Sequence, residues 1–333
     1  MPFKSESTEN PKHNRSYVLV TAAHNEEAFI RKTLAAVTTQ TTLPKRWVIV
    51  SDASTDGTDE IVKDYARRFE FLQLLRIGER HEHNFGSKVR ALNAGLAELK
   101  EDDYEFIGIL DADVSFEPFY FATLLERFER DPVLGLAGGS VHEARDGNFA
   151  PRPDNSSRSV AGAIQLFRRE CQETFGDFLA LKYGGEDWFA EIMAKINGWG
   201  VETFPELTVL HLKPTGIAAA SRLRYYYRQG LMDYALGSDP FFEVFKCLRR
   251  FGGRPYILGA LSRFSGFVLA SCRREKRPVT REFIEYLRSE QKSRMRDLFV
   301  EPLRRAMGRP KPGQGLVIST EPERPTLKAF NHS

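Results

Sequence analysis

Three short apolar segments, each followed by acidic residues, constrain the fold of this chain more than any other feature. They are residues 17–22, 47–50 and 106–110. The acidic residues beyond them are Glu26, Glu27, Asp52, Asp111 and Asp113. In an open α/β sheet the ligand binds beyond the carboxyl ends of the strands. Acidic groups that converge there predict a divalent cation and a polar, hydroxyl-rich ligand.

Helical periodicity follows each of the first two apolar segments. Apolar residues recur at helical spacing in residues 29–37 and again in 61–69. Asn25 is predicted to cap the first helix, and residues 56–59 are predicted to form the turn and cap of the second. A third helical stretch, 88–99, precedes the third segment. This alternation predicts the α/β class, with a mostly parallel sheet and helices on both of its faces.

Composition indicates a globular protein with no disulfide framework. The 333 residues are 41% apolar and 28% charged, which is enough for one substantial domain and an appendage. Cys171, Cys247 and Cys272 are odd in number and far apart, which indicates reduced thiols rather than a zinc site. The polar N-terminal residues lack the apolar stretch of a secretory signal. We therefore expect a cytoplasmic protein.

Charge is distributed unevenly along the chain. Residues 241–310 contain 17 Lys and Arg against 7 Asp and Glu, a net charge of +10. The overall net charge is +3, so the other residues together carry −7. The acidic part suits a cation-dependent site, whereas the basic, apolar-rich part suits an anionic surface.

The strongest local motif is Asp111-Ala112-Asp113. Two carboxylates two residues apart, after a buried strand, can share a hard divalent cation such as Mn²⁺ or Mg²⁺. Asp113 is the candidate direct ligand, and Asp111 would act through water or on a ribose hydroxyl. The same spacing also occurs in solvated turns, but the other two acidic strand ends favour a site.

Five motifs in order carry a family resemblance. They are VTAAHNEE at 20–27, VSDASTDGT at 50–58, GSKVRALNAG at 86–95, DAD at 111–113 and GEDW at 185–188. Together they resemble the family 2 glycosyltransferases of GT-A fold, over about residues 16–215. The resemblance implies transfer from a nucleotide-diphosphate sugar, with a UDP-sugar favoured, in cell-surface polysaccharide biosynthesis.

The resemblance assigns residues to the nucleoside. Ala23 and Glu26 would line its pocket, and Asp52 would accept a hydrogen bond from a base N–H. The chain departs from the family pattern at two positions, where Ala22 replaces a proline and Ser51 replaces the first Asp of a pair. Neither departure removes a residue expected to carry chemistry. Glu26 would also suit the first turn of a helix.

Other residues are implied to contact the diphosphate and the cation. Lys88 would approach the base or the phosphates, Asp111 the ribose and metal region, and Asp113 the cation that bridges the diphosphate. His211 follows an apolar run and would reach the metal or the diphosphate, although a lone histidine is often structural. Lys213 would add positive charge for the departing nucleotide.

Glu186 and Asp187 are the candidate catalytic pair. Inverting transfer needs a carboxylate that takes the proton from the acceptor hydroxyl. The resemblance makes Asp187 this base, with Glu186 orienting it or sharing its role. An acidic first turn of an exposed helix is the structural alternative. The preceding Gly184 and Gly185 would let a substrate approach the backbone.

The C-terminal region has a different character. Residues 256–272 are apolar except for Arg263 and a few serines, and basic clusters flank them. The segment is short for a spanning helix and contains a charge, so an interfacial helix on anionic lipid is favoured. A helix packed on the catalytic domain is the alternative. Nucleic-acid binding is not expected, because no recognition module accompanies the charges.

The expected organisation has four parts. Residues 1–15 form a disordered tail, 16–215 the catalytic domain, 216–307 a basic, helical, membrane-associating region and 308–333 a second disordered tail. The Gln-x-x-Arg-Trp signature of processive synthases is missing, so addition of one sugar per encounter is expected. The protein would lie at the inner face of the cell membrane.

The function predicted from these features is inverting, metal-dependent sugar transfer to an acceptor hydroxyl, expected on a lipid-linked saccharide. A soluble or protein acceptor is an alternative. A non-catalytic nucleotide-sugar-binding protein would keep Asp52 but would not need Asp113 or Asp187. A dinucleotide-dependent oxidoreductase is another alternative. It would need the motif Gly-x-Gly-x-x-Gly after the first strand, where this chain has Ala22–Glu27 instead.

Overall fold

The computed structural model describes residues 15–78, 85–145, 148–152, 156–213, 219–249 and 256–306. The predicted tails lie outside these ranges, apart from Arg15. The chain divides into two compact units. Unit 1 comprises Met1–Ala180, Glu186–Ala194 and Trp199–Thr215, and unit 2 comprises Leu181–Gly185, Lys195–Gly198 and Gly216–Ser333.

Unit 1 is built on a nine-stranded sheet. Its strands are β1 (Tyr17–Ala23), β2 (Arg46–Asp52), β3 (Leu72–Ile77), β4 (Phe106–Leu110), β5 (Val114–Phe116), β6 (Leu134–Arg145), β7 (Asn148–Pro151), β8 (Ile164–Arg168) and β9 (Gly200–His211). Their order is β3-β2-β1-β4-β8-β6-β9-β5, and β7 pairs with β6.

The sheet is mixed rather than mostly parallel. The first four strands along the chain pair in parallel, as predicted, and β6 also pairs in parallel with β9. The remaining pairings, β4–β8, β6–β8, β5–β9 and β6–β7, are antiparallel. The prediction rested on strand–helix alternation, which ends near residue 135. Beyond that point β6, β7 and β8 follow one another with no helix between them in the described residues, and antiparallel neighbours permit this.

Helices cover both faces of the sheet. The helices that begin in unit 1 are α1 (Ile30–Thr38), α2 (Thr58–Ala66), α3 (Phe85–Leu99), α4 (Tyr120–Arg130), α5 (Arg169–Glu173) and α6 (Glu186–Ile196). Side chains alternate along β1, so Tyr17 and Leu19 join a core with α1, α2 and α4. Val18 and Val20 join a second core with α3 and α6. The prediction of a sheet covered on both sides is confirmed.

The predicted role of Asn25 as a helix cap is wrong. α1 begins at Ile30, and Phe29 is its N-cap residue, without a side-chain cap. An extra turn intervenes, in which the Phe29 and Ile30 N–H groups both donate to Glu26 O at 2.9 Å. Asn25 instead has φ of 53° and bonds to the neighbouring loop.

Unit 2 is helical. Its main helices are α7 (Ala219–Ala235), α8 (Pro240–Arg249), α9 (Tyr256–Cys272) and α10 (Arg281–Ala306). α7 and α9 pack closely through glycines, because a Cβ at Gly230 would lie 2.8 Å from Phe267 N and one at Gly266 3.1 Å from Tyr227 C.

Arg263 is not a charge facing lipid. Its side chain is buried, and its guanidinium pairs with Glu243 at 2.9 Å and with Asp233. Lys246 lies 2.8 Å from each of these carboxylates. The sequence pattern could not reveal this, because the partners lie 20 and 30 residues earlier. No helix in the described part of the chain is both long enough and apolar enough to span a bilayer.

Candidate active site

The D-x-D loop lies between β4 and β5 and is held by its backbone. Thr33 Oγ1 of α1 donates to Ala112 O at 2.8 Å and accepts from the Val114 N–H at 3.0 Å. The Asp111 N–H donates to Ala163 O at 2.9 Å, and the Leu212 N–H donates to Asp113 O at 2.8 Å. Three separate elements therefore fix the positions of the two aspartates.

Asp111, Asp113 and His211 form a candidate metal cluster. One ligand atom from each lies within 4.8 Å of the others. His211 arrives there because it pairs in register with Val114 at the β5–β9 edge. Its Nε2 is 3.5 Å from Asp113 Oδ2. Burial, and then the charge of Asp111, raise the pKa of Asp113 to about 6.

The donor set fits a divalent cation. Carboxylate oxygens are the ligands that Mn²⁺ and Mg²⁺ prefer, and an imidazole nitrogen suits first-row transition metals. His211 Nδ1 and Glu26 Oε2 are buried without a hydrogen-bond partner among the described residues. Buried polar atoms of this kind need an explanation such as a ligand or an ion.

Lys88 connects the D-x-D motif to the candidate catalytic pair, Glu186 and Asp187. Its Nζ lies 2.9 Å from Asp111 Oδ1 and 3.5 Å from Glu186 Oε1. Burial opposes the charge of Lys88, but Asp111 and Glu186 outweigh it and raise the pKa of the ammonium group. Lys88 is therefore a fixed cation between two groups of carboxylates.

Glu186 and Asp187 form the first turn of α6. Gly184 and Gly185, with φ of 84° and 98°, form the turn that precedes it. Gly162 packs against the carboxylate of Asp187, since a Cβ at Gly162 would lie 2.8 Å from Asp187 Cγ. Burial, and then Glu186, raise the pKa of Asp187 to about 6. A carboxylate with this pKa accepts a proton better than an ordinary aspartate does and is still ionised at neutral pH.

Glu26 and Lys213 lie in the same region. Lys213 Nζ is 2.7 Å from Glu26 Oε1. Both charges act on Asp113, where Glu26 raises its pKa and Lys213 lowers it. The structure thus groups Glu26, Lys88, Asp111, Asp113, Glu186, Asp187, His211 and Lys213 around one sheet edge.

The residues predicted for the nucleoside lie at the ends of β1 and β2. Buried Ala23 pairs in register with Ser51, next to Asp52. The His24 Nδ1–H donates to Asp52 O at 2.6 Å. Gly78 packs closely beside Asp52, because a Cβ at Gly78 would lie 3.1 Å from Asp52 Oδ1. These contacts fix the backbone of Asp52.

The loops beyond β1 and β2 bind each other. The Thr55 N–H donates to Asn25 Oδ1 at 2.8 Å, and Thr58 Oγ1 accepts from the Glu26 N–H at 2.8 Å. Asn25 and Ala53 have φ of 53° and 50°. Left-handed backbone in residues other than glycine costs free energy and clusters at functional sites.

Sequence analysis did not identify several residues that build this site. They are Thr33, Asp59, Gly162 and Glu191. Buried Asp59 accepts a 2.5 Å hydrogen bond from Ser51 Oγ and pairs with Arg76, so this serine has a structural partner. A signal for Glu191 was present, because it follows Asp187 by four residues and lies on the same helix face. The sequence held no comparable signal for Gly162.

A family model for glycosyl transferase family 2 matches residues 18–185, slightly more than half of the chain. The chain belongs to this family. A poly-β-1,6-N-acetyl-D-glucosamine synthase of Staphylococcus epidermidis is 34% identical over 149 residues, 43% of this chain and 30% of that protein. The synthase of Staphylococcus aureus strain COL is 31% identical over 147 residues, with the same shares covered. The chain thus matches less than a third of the length of these family 2 relatives.

Solved structures confirm the GT-A-like fold. The mannosyltransferase PcManGT of Pyrobaculum calidifontis, in complex with GDP-Man and Mn²⁺, aligns with a TM-score of 0.53 at 19% identity, over 88% of this chain and 83% of that one. S. aureus TarS 1–349, in complex with UDP-GlcNAc, aligns with a TM-score of 0.51 at 14% identity, over 89% and 93%. At these identities the likeness concerns the fold.

Proposed function

We propose that this family 2 protein transfers a sugar from a nucleotide-diphosphate donor, with inversion, to an acceptor hydroxyl. The observation that carries the proposal is the cluster of Asp111, Asp113 and His211, joined through Lys88 to the Glu186–Asp187 pair. A UDP-sugar is favoured, with UDP-GlcNAc as the first candidate. The matched synthases make a polymer of N-acetyl-D-glucosamine, and TarS was solved with UDP-GlcNAc.

The donor would bind across the strand ends. Asp52 would accept from a base N–H, Ala23 and Glu26 would line the nucleoside pocket, and Asp111 would contact the ribose. Asp113 and His211 would hold Mn²⁺ or Mg²⁺. When bound, such a cation neutralises the charge that builds on the leaving diphosphate. Lys88 and Lys213 would add fixed positive charge for the same anion.

Asp187 would act as the base. As the acceptor oxygen attacks the anomeric carbon, Asp187 takes the hydroxyl proton, and the bond from that carbon to the diphosphate breaks on the opposite face. The nucleoside diphosphate leaves as an anion. Glu186, at the same helix N-terminus, would keep Lys88 in place. The close packing of Gly162 on the Asp187 carboxylate supports a fixed position for this base.

The test is release of UDP from UDP-GlcNAc in the presence of Mn²⁺, with GDP-mannose as the competing donor and a GlcNAc oligosaccharide as acceptor. We expect activity with Mn²⁺, loss with EDTA, and loss in Asp113→Ala at unchanged circular dichroism. Glu117→Ala, a change at an exposed position of the same unit, is the control. Normal turnover in EDTA would rule out the metal-dependent reaction.

The acceptor is proposed to be a lipid-linked saccharide, with addition of one sugar per encounter, because unit 2 presents an apolar face. On α8 and α9 large apolar side chains are exposed at helical spacing. They are Phe241, Val244, Leu248, Ile257, Leu258, Leu261, Phe264 and Val268. Exposed basic residues follow α9, including Arg273, Arg274 and Lys276. Apolar side chains beside basic ones complement an anionic bilayer surface, the inner face of the cell membrane.

Vesicle sedimentation tests this contact. Binding should require phosphatidylglycerol in the phosphatidylcholine vesicles and should weaken with salt, because each basic residue near such a surface contributes about 1 kcal/mol. Leu258→Glu with Leu261→Glu should release the protein, while Leu43→Glu, at an exposed position of unit 1, should not. Equal binding to neutral and anionic vesicles, or self-association without vesicles, would contradict the proposal.

A further inference from the structure

Residues 159–163, here termed the bridging segment, contact both halves of the candidate site. At one end, Ala163 O accepts the Asp111 N–H at 2.9 Å. Near its middle, Gly162 lies against the Asp187 carboxylate. The segment therefore touches both the D-x-D loop and the proposed base, and it covers one side of the carboxylate of that base.

The other end of the bridging segment is held by a buried carboxylate. Glu191 Oε2 accepts from Ser159 Oγ at 2.7 Å and from the Val160 N–H at 3.2 Å. Glu191 is 1% exposed and lies on α6, one turn after Asp187. A buried carboxylate costs free energy to desolvate, and these two hydrogen bonds offset part of that cost.

Two further contacts hold the bridging segment. Thr203 Oγ1 donates to Ser159 O at 2.7 Å, and Gln165 Nε2 donates to Val160 O at 3.3 Å. Gly138 on β6 makes room for the buried Val160, because a Cβ there would lie 2.5 Å from Val160 Cγ1. These contacts come from the sheet, whereas Glu191 joins the segment to the helix that carries the base.

We propose that Glu191 is a positioning residue, which ties the bridging segment to α6 and thereby holds Gly162 against the Asp187 carboxylate, so that the proposed base keeps its orientation toward the acceptor hydroxyl. The inference rests on the proposed role of Asp187. Glu191 does not touch the donor or the acceptor in this scheme. It acts through the segment, and its negative charge acts through space on Asp187.

The electrostatic contribution gives the proposal a distinctive signature. Among the described residues, the charged groups with the largest effect on Asp187 are Glu186, Lys88 and Glu191. Glu186 and Glu191 raise the pKa of Asp187, and Lys88 lowers it. Removal of the Glu191 charge should lower that pKa, so turnover should persist to lower pH. A residue that only stabilised the fold would leave the pH profile of the folded molecules unchanged.

The experiment compares Glu191→Ala, Glu191→Gln and Ser159→Ala by UDP release from UDP-GlcNAc with Mn²⁺ and a GlcNAc oligosaccharide. Glu191→Ala loses both hydrogen bonds, and kcat should fall about 10–10²-fold with donor KM unchanged, the size expected for a misplaced reacting group. Glu191→Gln keeps the shape and should restore much of kcat, with the acidic limb moved to lower pH. Ser159→Ala keeps the charge and should lower kcat without moving the limb.

Glu170→Gln, a change at an exposed position of α5, is the matched control and should behave as the wild type. A wild-type kcat and acidic limb in both Glu191 variants would overturn the proposal. Loss of folded protein in Glu191→Ala, with an unmoved limb in Glu191→Gln and a normal kcat in Ser159→Ala, would overturn it as well. Failure of the wild type to release UDP would instead contradict the proposed function.

Discussion

The two units both bury charged side chains, but they balance them differently. In unit 2, Asp233 and Glu243 face Arg263 and Lys246, two acids against two bases. In unit 1 the acids outnumber the bases. The carboxylates there are Glu26, Asp111, Asp113, Glu186 and Asp187, and the lysines near them are Lys88 and Lys213.

The difference separates a structural cluster from a candidate site. In the balanced cluster the positive partners hold the pKa of Asp233 below its ordinary value despite burial, whereas burial and the charge of Asp233 raise the pKa of Glu243. In the unbalanced cluster the pKa values of Asp113 and Asp187 are raised to about 6. Excess negative charge at one sheet edge is costly unless a cation joins it. The imbalance, rather than burial alone, indicates function.

The largest effect should come from Asp187→Asn, which keeps the shape but removes the proton acceptor. We expect kcat to fall about 10²–10⁴-fold, the usual contribution of a general base, with donor binding retained. UDP release gives kcat, and thermal stabilisation by UDP-GlcNAc with Mn²⁺ reports donor binding. Asp177→Asn, at an exposed position of unit 1, is the control.

The same variant tests the pKa of the base. Asp187 must be ionised to accept a proton, and its pKa is about 6, so wild-type kcat should fall as pH decreases below 6. This acidic limb should disappear in Asp187→Asn. Near-normal turnover in the variant would shift the role to Glu186, whose carboxylate lies in the same helical turn.

A substitution in the buried cluster of unit 2 should lower the free energy of unfolding and leave kcat unchanged. Arg263→Met removes one of the two cations that pair with Asp233 and Glu243 in the described residues, and breaking a buried ion pair in this way costs about 3–5 kcal/mol. Urea unfolding followed by circular dichroism measures this loss. The kcat of the molecules that remain folded should be unchanged.

Arg281→Met is the matched control for this change. Arg281 also pairs with a glutamate, Glu285, at 2.7 Å, but its side chain is 93% exposed. Exposed helix pairs contribute about 0.3–0.5 kcal/mol, so the control should unfold almost as the wild type does. If both variants were equally stable, the buried cluster would not be the structural element inferred here.

Local pattern predicted the strand ends and the D-x-D motif, because spacing along the chain decides both. The local pattern failed where contacts between residues far apart in the chain determine the structure. Asn25 takes a left-handed conformation because the loop after β2 bonds to it, and Arg263 is buried by partners on α7 and α8. The sequence pattern placed Thr33 on the apolar face of the first helix. Its hydroxyl, however, holds the D-x-D loop 79 residues away.

Thr33→Val should have the smallest effect of these substitutions. It removes a side-chain contact to the backbone of the candidate site. Valine has the same shape but leaves the Ala112 and Val114 backbone groups without this partner, and such a buried loss costs about 1–3 kcal/mol. Because the D-x-D loop would loosen, we expect weaker Mn²⁺ binding, measured by calorimetry, and a higher Mn²⁺ requirement for UDP release. Thr38→Val is the control, since in the described residues Thr38 Oγ1 donates within α1, to Leu34 O and Ala35 O. Equal Mn²⁺ affinity in the two variants would mean that the loop is held by β9 and Ala163 without help from α1.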